Sequence, residues 1–99
     1  MTERENEVLR QTVERLKKYL APSQIILFGS RAKKNSNNNH ADFDFAVDSK
    51  KPEISMQREL KEAIDEVRGL YKVDIVYMPS VDEEFKKIIM KTGRVVYER

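Results

Sequence analysis

The sequence contains no cysteine, and this absence excludes two classes of protein. Neither a disulfide-stabilised scaffold nor a metal centre with thiolate ligands can form, and a reducing compartment fits the composition. The N-terminal segment, residues 1–10, is charged rather than apolar. No apolar run approaches the ~18 residues that a membrane span requires. We therefore expect a cytoplasmic protein that makes no membrane contact.

An excess of charge of one sign is also missing. The 19 basic and 17 acidic residues leave a formal net charge of only +2, so bulk electrostatics does not favour a nucleic-acid binder. We expect no direct DNA binding, and any recognition of phosphate must be local. A length of 99 residues with 39% hydrophobic residues is sufficient for one core. The chain is therefore expected to be a single domain spanning residues 1–99.

Hydrophobic periodicity predicts alternating helices and strands. A three- and four-residue period over residues 5–20 indicates an amphipathic helix, and residues 33–39 are polar and aperiodic, as in an exposed loop. The expected strands are residues 24–28, 42–47, 72–78 and 94–97, and further helices are expected over residues 52–68 and between residues 81 and 93. This order predicts an α/β (α+β) domain with helices packed on a small mixed sheet.

Asp42 and Asp44 are two residues apart in a predicted strand, so their side chains leave the same face and can converge on one cation. Considered alone, the pattern is more typical of a solvated sheet face with Phe43 and Phe45 turned inward. Asp74 is harder to explain, because its predicted strand has no polar face. Its carboxylate must be ion-paired, protonated, exposed at a strand edge or bound to a metal. If the two strands are neighbours, three carboxylates meet, and their oxygen ligands favour Mg²⁺ or Mn²⁺.

A turn formed by Gly29, Ser30 and Arg31 follows the first predicted strand. Glycine allows close approach of a ligand to the backbone, and Ser30 can cap a short helix whose N–H groups favour phosphate oxygens. Arg31 can contact phosphate or form a structural ion pair. An ordinary helix cap would explain the turn equally well without the acidic strand that follows it. His40, Lys33 and Lys34 are expected to be solvated loop side chains.

Three segments together resemble the DNA polymerase β-like nucleotidyltransferase superfamily: Leu27 to Ala32 (LFGSRA), His40 to Val47 (HADFDFAV) and Val73 to Val76 (VDIV). The resemblance covers roughly residues 8–97, and the small size is similar to that of minimal nucleotidyltransferases paired with HEPN-domain proteins. It implies the fold of that superfamily, and an antitoxin that adenylylates its HEPN toxin. It also implies that ATP is the substrate and that two Mg²⁺ ions are the cofactors, with Mn²⁺ as a substitute.

The same resemblance implies residue roles. Gly29, Ser30 and Arg31 would bind the nucleotide, Asp42 and Asp44 would bind the metal ions, and Asp74 would complete the site and assist the acceptor hydroxyl. The expected partner is a HEPN-type protein or a second copy of the chain. Two alternatives to the enzyme remain open: a binding module that neutralises a partner by contact, and a structural cluster of ion pairs on a small scaffold.

Overall fold

The computed structural model describes residues 1–32 and 42–99, and for residues 30 and 31 it describes the backbone only. The expected loop at residues 33–39 and the side chain of His40 lie outside the described residues. The described helices and strands are, in chain order, α1 (Glu3–Leu20), β1 (Gln24–Phe28), β2 (Phe43–Val47), α2 (Ile54–Asp65), β3 (Val73–Tyr77), α3 (Glu83–Thr92) and β4 (Arg94–Glu98). Short 3-10 helices occupy Gly29–Ala32 and Met78–Ser80. None of the helices in this part of the chain has the length and apolar character that a bilayer span requires.

The four described strands form one sheet in the order β3-β2-β1-β4. β1 pairs antiparallel with both β2 and β4, whereas β2 and β3 run parallel. Parallel neighbours need a crossover connection, and α2 supplies it. The arrangement confirms the expected small mixed sheet with flanking helices. Within the described strands, β3 and β4 are the two edges.

Each face of the sheet packs against its own apolar cluster. Membership of a cluster shows which face a strand residue lies on. The larger cluster joins α1 and α2 to the sheet through side chains such as Leu16, Leu60, Phe43 and Phe45. The smaller cluster joins α3 to the opposite face and contains Ile26, Ala46, Met78 and Ile89. Because strand side chains alternate between faces, Asp44 lies on the same face as Ala46. The acidic side chain of β2 therefore belongs to the α3 face, which one short helix covers.

Several element boundaries differ from those expected. α1 begins earlier because Thr2 and Glu5 form a capping box, in which each side chain accepts a hydrogen bond from the other residue's backbone N–H. α2 was expected over residues 52–68 but spans only Ile54–Asp65. β2 begins at Phe43, which places Asp42 immediately before the strand rather than in it. α3 starts after Asp82, whose carboxylate accepts a hydrogen bond from the Phe85 N–H at 2.8 Å.

Candidate active site

The pairing of β2 with β3 brings two of the predicted site residues side by side. Asp44 and Asp74 are register partners in the parallel pair, and Phe28 is the register partner of Asp44 on its other side. Neighbouring strands lie about 4.8 Å apart, so the two carboxylates leave adjacent backbone positions on one face. The two strands are therefore neighbours, which was the condition for their acidic residues to meet, and the end of β1 lies on the other side of β2.

Gly29 brings the turn after β1 against the carboxylate of Asp44. Its φ is +73°, and a Cβ placed on it would lie 2.6 Å from Asp44 Oδ2. Both observations favour glycine, because other residues rarely adopt this φ and a side chain would collide with Asp44. The close approach places backbone groups of the Gly29–Ala32 turn next to Asp44, and the role of Gly29 in nucleotide binding stays a prediction.

Burial and neighbouring like charges both act on the carboxylate of Asp44. Burial raises the pKa of Asp44 above its ordinary value, and the nearby carboxylates of Asp74 and Asp42 raise it further. Among the described residues, Lys72 acts in the opposite direction and lowers this pKa. The influence of both other carboxylates on Asp44 shows that the three predicted acids share one electrostatic environment. Among the described residues, Lys72 is the cation that pairs with the cluster, at 3.8 Å from Asp74.

Asp74 lies on the edge strand β3, where its carboxylate is accessible to water. Its side chain is 48% exposed, and its carboxylate lies 3.8 Å from the Lys72 ammonium, which is itself 69% exposed. An ion pair this open to water contributes little to stability. Of the four explanations left open by the sequence, exposure at a strand edge is the main one, with Lys72 as a loose partner.

The chemistry of the donor set suits a hard cation, because every candidate ligand is a carboxylate oxygen and the charges of Asp74 and Asp42 act unfavourably on Asp44. Within residues 1–32 and 42–99, however, no three such side chains converge closely enough to form a ready metal centre. Metal binding by Asp42, Asp44 and Asp74 therefore stays a prediction. The side chains of Ser30 and Arg31 are not described, so their roles in binding the nucleotide also stay predictions.

Sequence reasoning missed the basic residues beside the acidic cluster. Lys72 is two positions before Asp74, and Lys51, Lys61 and Arg68 line the same cleft between α2 and β3. A signal for Lys72 was present, because residues two apart along an extended chain point to the same side. The other three come from α2 and its flanking segments. Only the packing of the helix beside the strand reveals their proximity to Asp74.

The strand order, the turn at Gly29 and the adjacent Asp44 and Asp74 define a domain of the nucleotidyltransferase class. The family described as "Polymerase beta, Nucleotidyltransferase" matches residues 10–99, and the chain belongs to it. This confirms the resemblance carried by the Gly-Ser turn and the Asp-x-Asp segment. No curated protein sequence matches the chain significantly.

Solved structures with this fold include components of toxin–antitoxin complexes. A toxin–antitoxin structure with AMP-PNP has a TM-score of 0.74 at 18% identity, covering 91% of this chain and 73% of that chain. A tri-AMPylated Shewanella oneidensis HEPN toxin in complex with its MNT antitoxin gives 0.69 at 17% identity, covering 97% and 73%. A protein described as a minimal nucleotidyltransferase gives 0.68 at 17% identity, covering 94% and 95%. At these identities the likeness establishes the fold.

Proposed function

We propose that this chain is a metal-dependent nucleotidyltransferase that moves AMP from ATP to a hydroxyl group of a HEPN-type protein partner in the cytoplasm, acting as an antitoxin. The observation that carries the proposal is the contact of the Gly29 turn with Asp44, directly beside Asp74 in the register. The turn offers backbone N–H groups for phosphate, and the carboxylates offer oxygen ligands for a cation. Structural neighbours that contain AMP-PNP or an AMPylated HEPN toxin support the choice of donor and acceptor.

The proposed role of each site residue follows from its position in the sheet. Gly29, Ser30 and Arg31 hold the triphosphate at the end of β1. Asp42 and Asp44, completed by Asp74, would hold two Mg²⁺ ions, or Mn²⁺, which would neutralise charge on the phosphates of the bound nucleotide. Of the two acidic register partners in β2 and β3, Asp74 lies on the edge strand and is 48% exposed, so it is the one that an incoming hydroxyl reaches. It orients that hydroxyl and receives its proton.

The reaction is balanced without any further reactant. The acceptor oxygen forms a bond to the α-phosphorus of ATP while the bond from that phosphorus to the bridging oxygen of the β-phosphate breaks. Pyrophosphate leaves with the electron pair of the broken bond, and the proton of the acceptor hydroxyl passes to Asp74. The products are an AMP ester of the acceptor and pyrophosphate.

The test is co-expression of the chain with the product of the neighbouring gene, which we expect to be a HEPN-type protein, followed by intact mass measurement of that product. We expect added AMP with the wild-type chain and none with Asp42→Asn. A matched control is Asp48→Asn, because Asp48 is an exposed carboxylate just beyond the other end of β2. A HEPN-type partner that is silenced without carrying AMP would contradict the enzymatic proposal and favour neutralisation by contact.

A further inference from the structure

A cleft of about 500 Å³ lies between α2 and the edge strand β3. Its apolar wall is formed by Leu60 and Ile64 of α2 and by Val73, Ile75 and Tyr77 of β3. Asp74 borders the cleft at the open edge of the sheet, whereas its carboxylate leaves the opposite face beside Asp44. The cleft therefore adjoins the candidate active site across the edge of β3, and a segment bound along that edge contacts both.

The order of strands separates this cleft from the side that receives the nucleotide. Gly29 at the end of β1 contacts Asp44 of β2, and Asp44 is the register partner of Asp74 on β3. The cleft lies next to β3, at the end of this row that is farthest from β1. A ligand along the outer edge of β3 therefore approaches Asp74 from the side opposite the turn that we propose to hold phosphate.

The charges of the cleft indicate an acidic occupant. Lys51, Lys61, Arg68 and Lys72 line it, against the carboxylates of Asp65 and Asp74. Asp65 is shared by Lys61 at 3.5 Å and Arg68 at 2.7 Å, while Lys51 has no ion-pair partner among the described residues. Positive charge exceeds negative charge at the surface of the cleft. This excess attracts carboxylates and lets them displace weak, exposed ion pairs.

The backbone and the apolar wall indicate an extended protein segment. β3 pairs only with β2 among the described strands, so its outer edge has free hydrogen-bonding groups. All five of its residues are half-buried, which leaves the apolar side chains of the strand within reach of a ligand. Peptides that add to a sheet edge use such groups for affinity and alternate side chains for specificity. A polynucleotide would use the lysines but neither the apolar wall nor the strand edge.

We propose that this cleft docks an acidic, extended segment of the acceptor protein along β3 and thereby delivers its hydroxyl group to Asp74. The inference rests on the proposed function, since it names the surface that presents the acceptor. It assigns a specificity role to Lys51 and Lys61, which lie outside the catalytic cluster. Substitution of these two lysines is then expected to change the affinity for the acceptor but not the affinity for ATP.

The experiment measures peptide binding without nucleotide. The probe is the labelled peptide Glu-Val-Glu-Tyr-Val-Glu-Val, and its counterpart carries lysine in place of each glutamate. Fluorescence anisotropy should show binding of the acidic peptide alone, weakened roughly tenfold by the double variant Lys51→Glu and Lys61→Glu. The matched control is Lys87→Glu with Lys91→Glu on α3, which changes the net charge equally on the opposite face. The single variant Lys61→Glu replaces the double variant if circular dichroism shows unfolding.

Hydrogen exchange gives a second readout, because strand addition should protect backbone amides within Val73–Tyr77 when the acidic peptide binds. Equal binding of both peptides, equal weakening by both double variants, or unchanged exchange in β3 would overturn the proposal. Preferential binding of a labelled oligouridine that Lys51→Glu and Lys61→Glu abolish would replace it with a nucleic-acid acceptor. Peptide binding at the cleft without AMP transfer to the peptide's tyrosine in ATP and Mg²⁺ supports the docking surface and contradicts the adenylylation.

Discussion

Asp44 carries an unfavourable charge in the metal-free protein. It is partly buried, it lies between the Gly29 turn and Asp74, and two neighbouring carboxylates add repulsion. Taking a carboxylate out of water and placing it beside like charges both disfavour its ionised form. The ionised site therefore opposes folding until a cation or a hydrogen-bond donor arrives.

A pH-dependent gain in stability is expected for Asp44→Asn. Because the pKa of Asp44 is raised in the folded state, its favourable contribution is complete below the unfolded pKa and is lost as pH rises through the folded pKa. At pH 7 the ionised wild type has lost this contribution, whereas the neutral amide has not. The free energy of unfolding in a chelator should be higher for Asp44→Asn at pH 7, and the gain should fade near pH 3. A gain of equal size at both pH values would contradict this origin.

Gly29→Ala should damage stability and nucleotide binding together. The positive φ costs a non-glycine residue roughly 1–2 kcal/mol, and the added Cβ would displace the Asp44 carboxylate. Gly69→Ala is a matched control, because Gly69 has a φ of +61° but its added Cβ would meet only the Arg4 side chain. Chemical denaturation should show a loss in both variants. ATP affinity should fall only in Gly29→Ala. An equal fall in both variants would show that Gly29 has no specific role in the site.

The acidic residues of the site were predictable, whereas their surroundings were not. Asp44 and Asp74 stand out in the sequence because each interrupts a strongly apolar strand. Their adjacency depended on the strands being neighbours, which residues 42–78 alone do not establish. The exposure of Asp74 could not be predicted either, since a strand's position at the edge of a sheet depends on every other pairing.

Among the elements, α1 ends in a conformation that its sequence does not favour. Ala21 follows the helix with φ 44° and ψ 53°, and its N–H donates to the Lys17 carbonyl at 3.0 Å. Helices often end on such a left-handed residue, but glycine is the usual choice because it has no Cβ to collide with the next carbonyl. The backbone at the end of α1 is therefore conformationally strained.

Ala21→Gly should raise the free energy of unfolding by about 1 kcal/mol, because it removes this strain at an exposed position. Thermal and urea unfolding would measure the gain. Ala63→Gly is the control, since Ala63 lies within α2, where glycine costs about 1 kcal/mol relative to alanine. Loss of stability in Ala21→Gly would show that the left-handed turn is not a source of strain.

The type and order of elements followed from periodicity, whereas their ends depended on single hydrogen bonds. β1 was expected at residues 24–28 and is found there, since a short apolar run ending at glycine leaves little choice. α2 ends at Asp65, before the predicted residue 68, although its apolar period continues to the buried Val67. The Arg68 N–H still donates to the Ile64 carbonyl, so the segment after the helix keeps a turn-like path. An apolar period therefore overestimates the length of a helix that is followed by turns.

For the whole molecule, the sequence predicted one small domain with a mixed sheet but not the order of its strands. β4 pairs with β1 rather than with β3, although β3 precedes it more closely in the chain. Apolar patterning identifies strands, but it does not determine which strands pair with each other. The open edge of β3, and with it the cleft, could be found only from the complete sheet.

Mg²⁺ with ATP should raise the melting temperature of the intact domain. A ligand present at one hundred times its dissociation constant stabilises the folded state by about 2.7 kcal/mol. For a domain of this length the corresponding shift is roughly 10 °C or more. Differential scanning fluorimetry would measure it, with Mg²⁺ alone and ATP alone as controls. The double variant Asp42→Asn and Asp44→Asn should abolish the shift, and its persistence would locate the metal elsewhere.

The placement of β1 beside β4 also bears on how the protein is made. β1 is translated early, yet its second partner emerges from the ribosome only after nearly all of the other described elements. Until then the nascent chain presents a strand of three buried apolar residues, Ile25 to Leu27, with one unpaired edge. Such edges template pairing between chains. Chains interrupted before Arg94 are therefore expected to aggregate, and rapid completion of synthesis protects the yield of active protein.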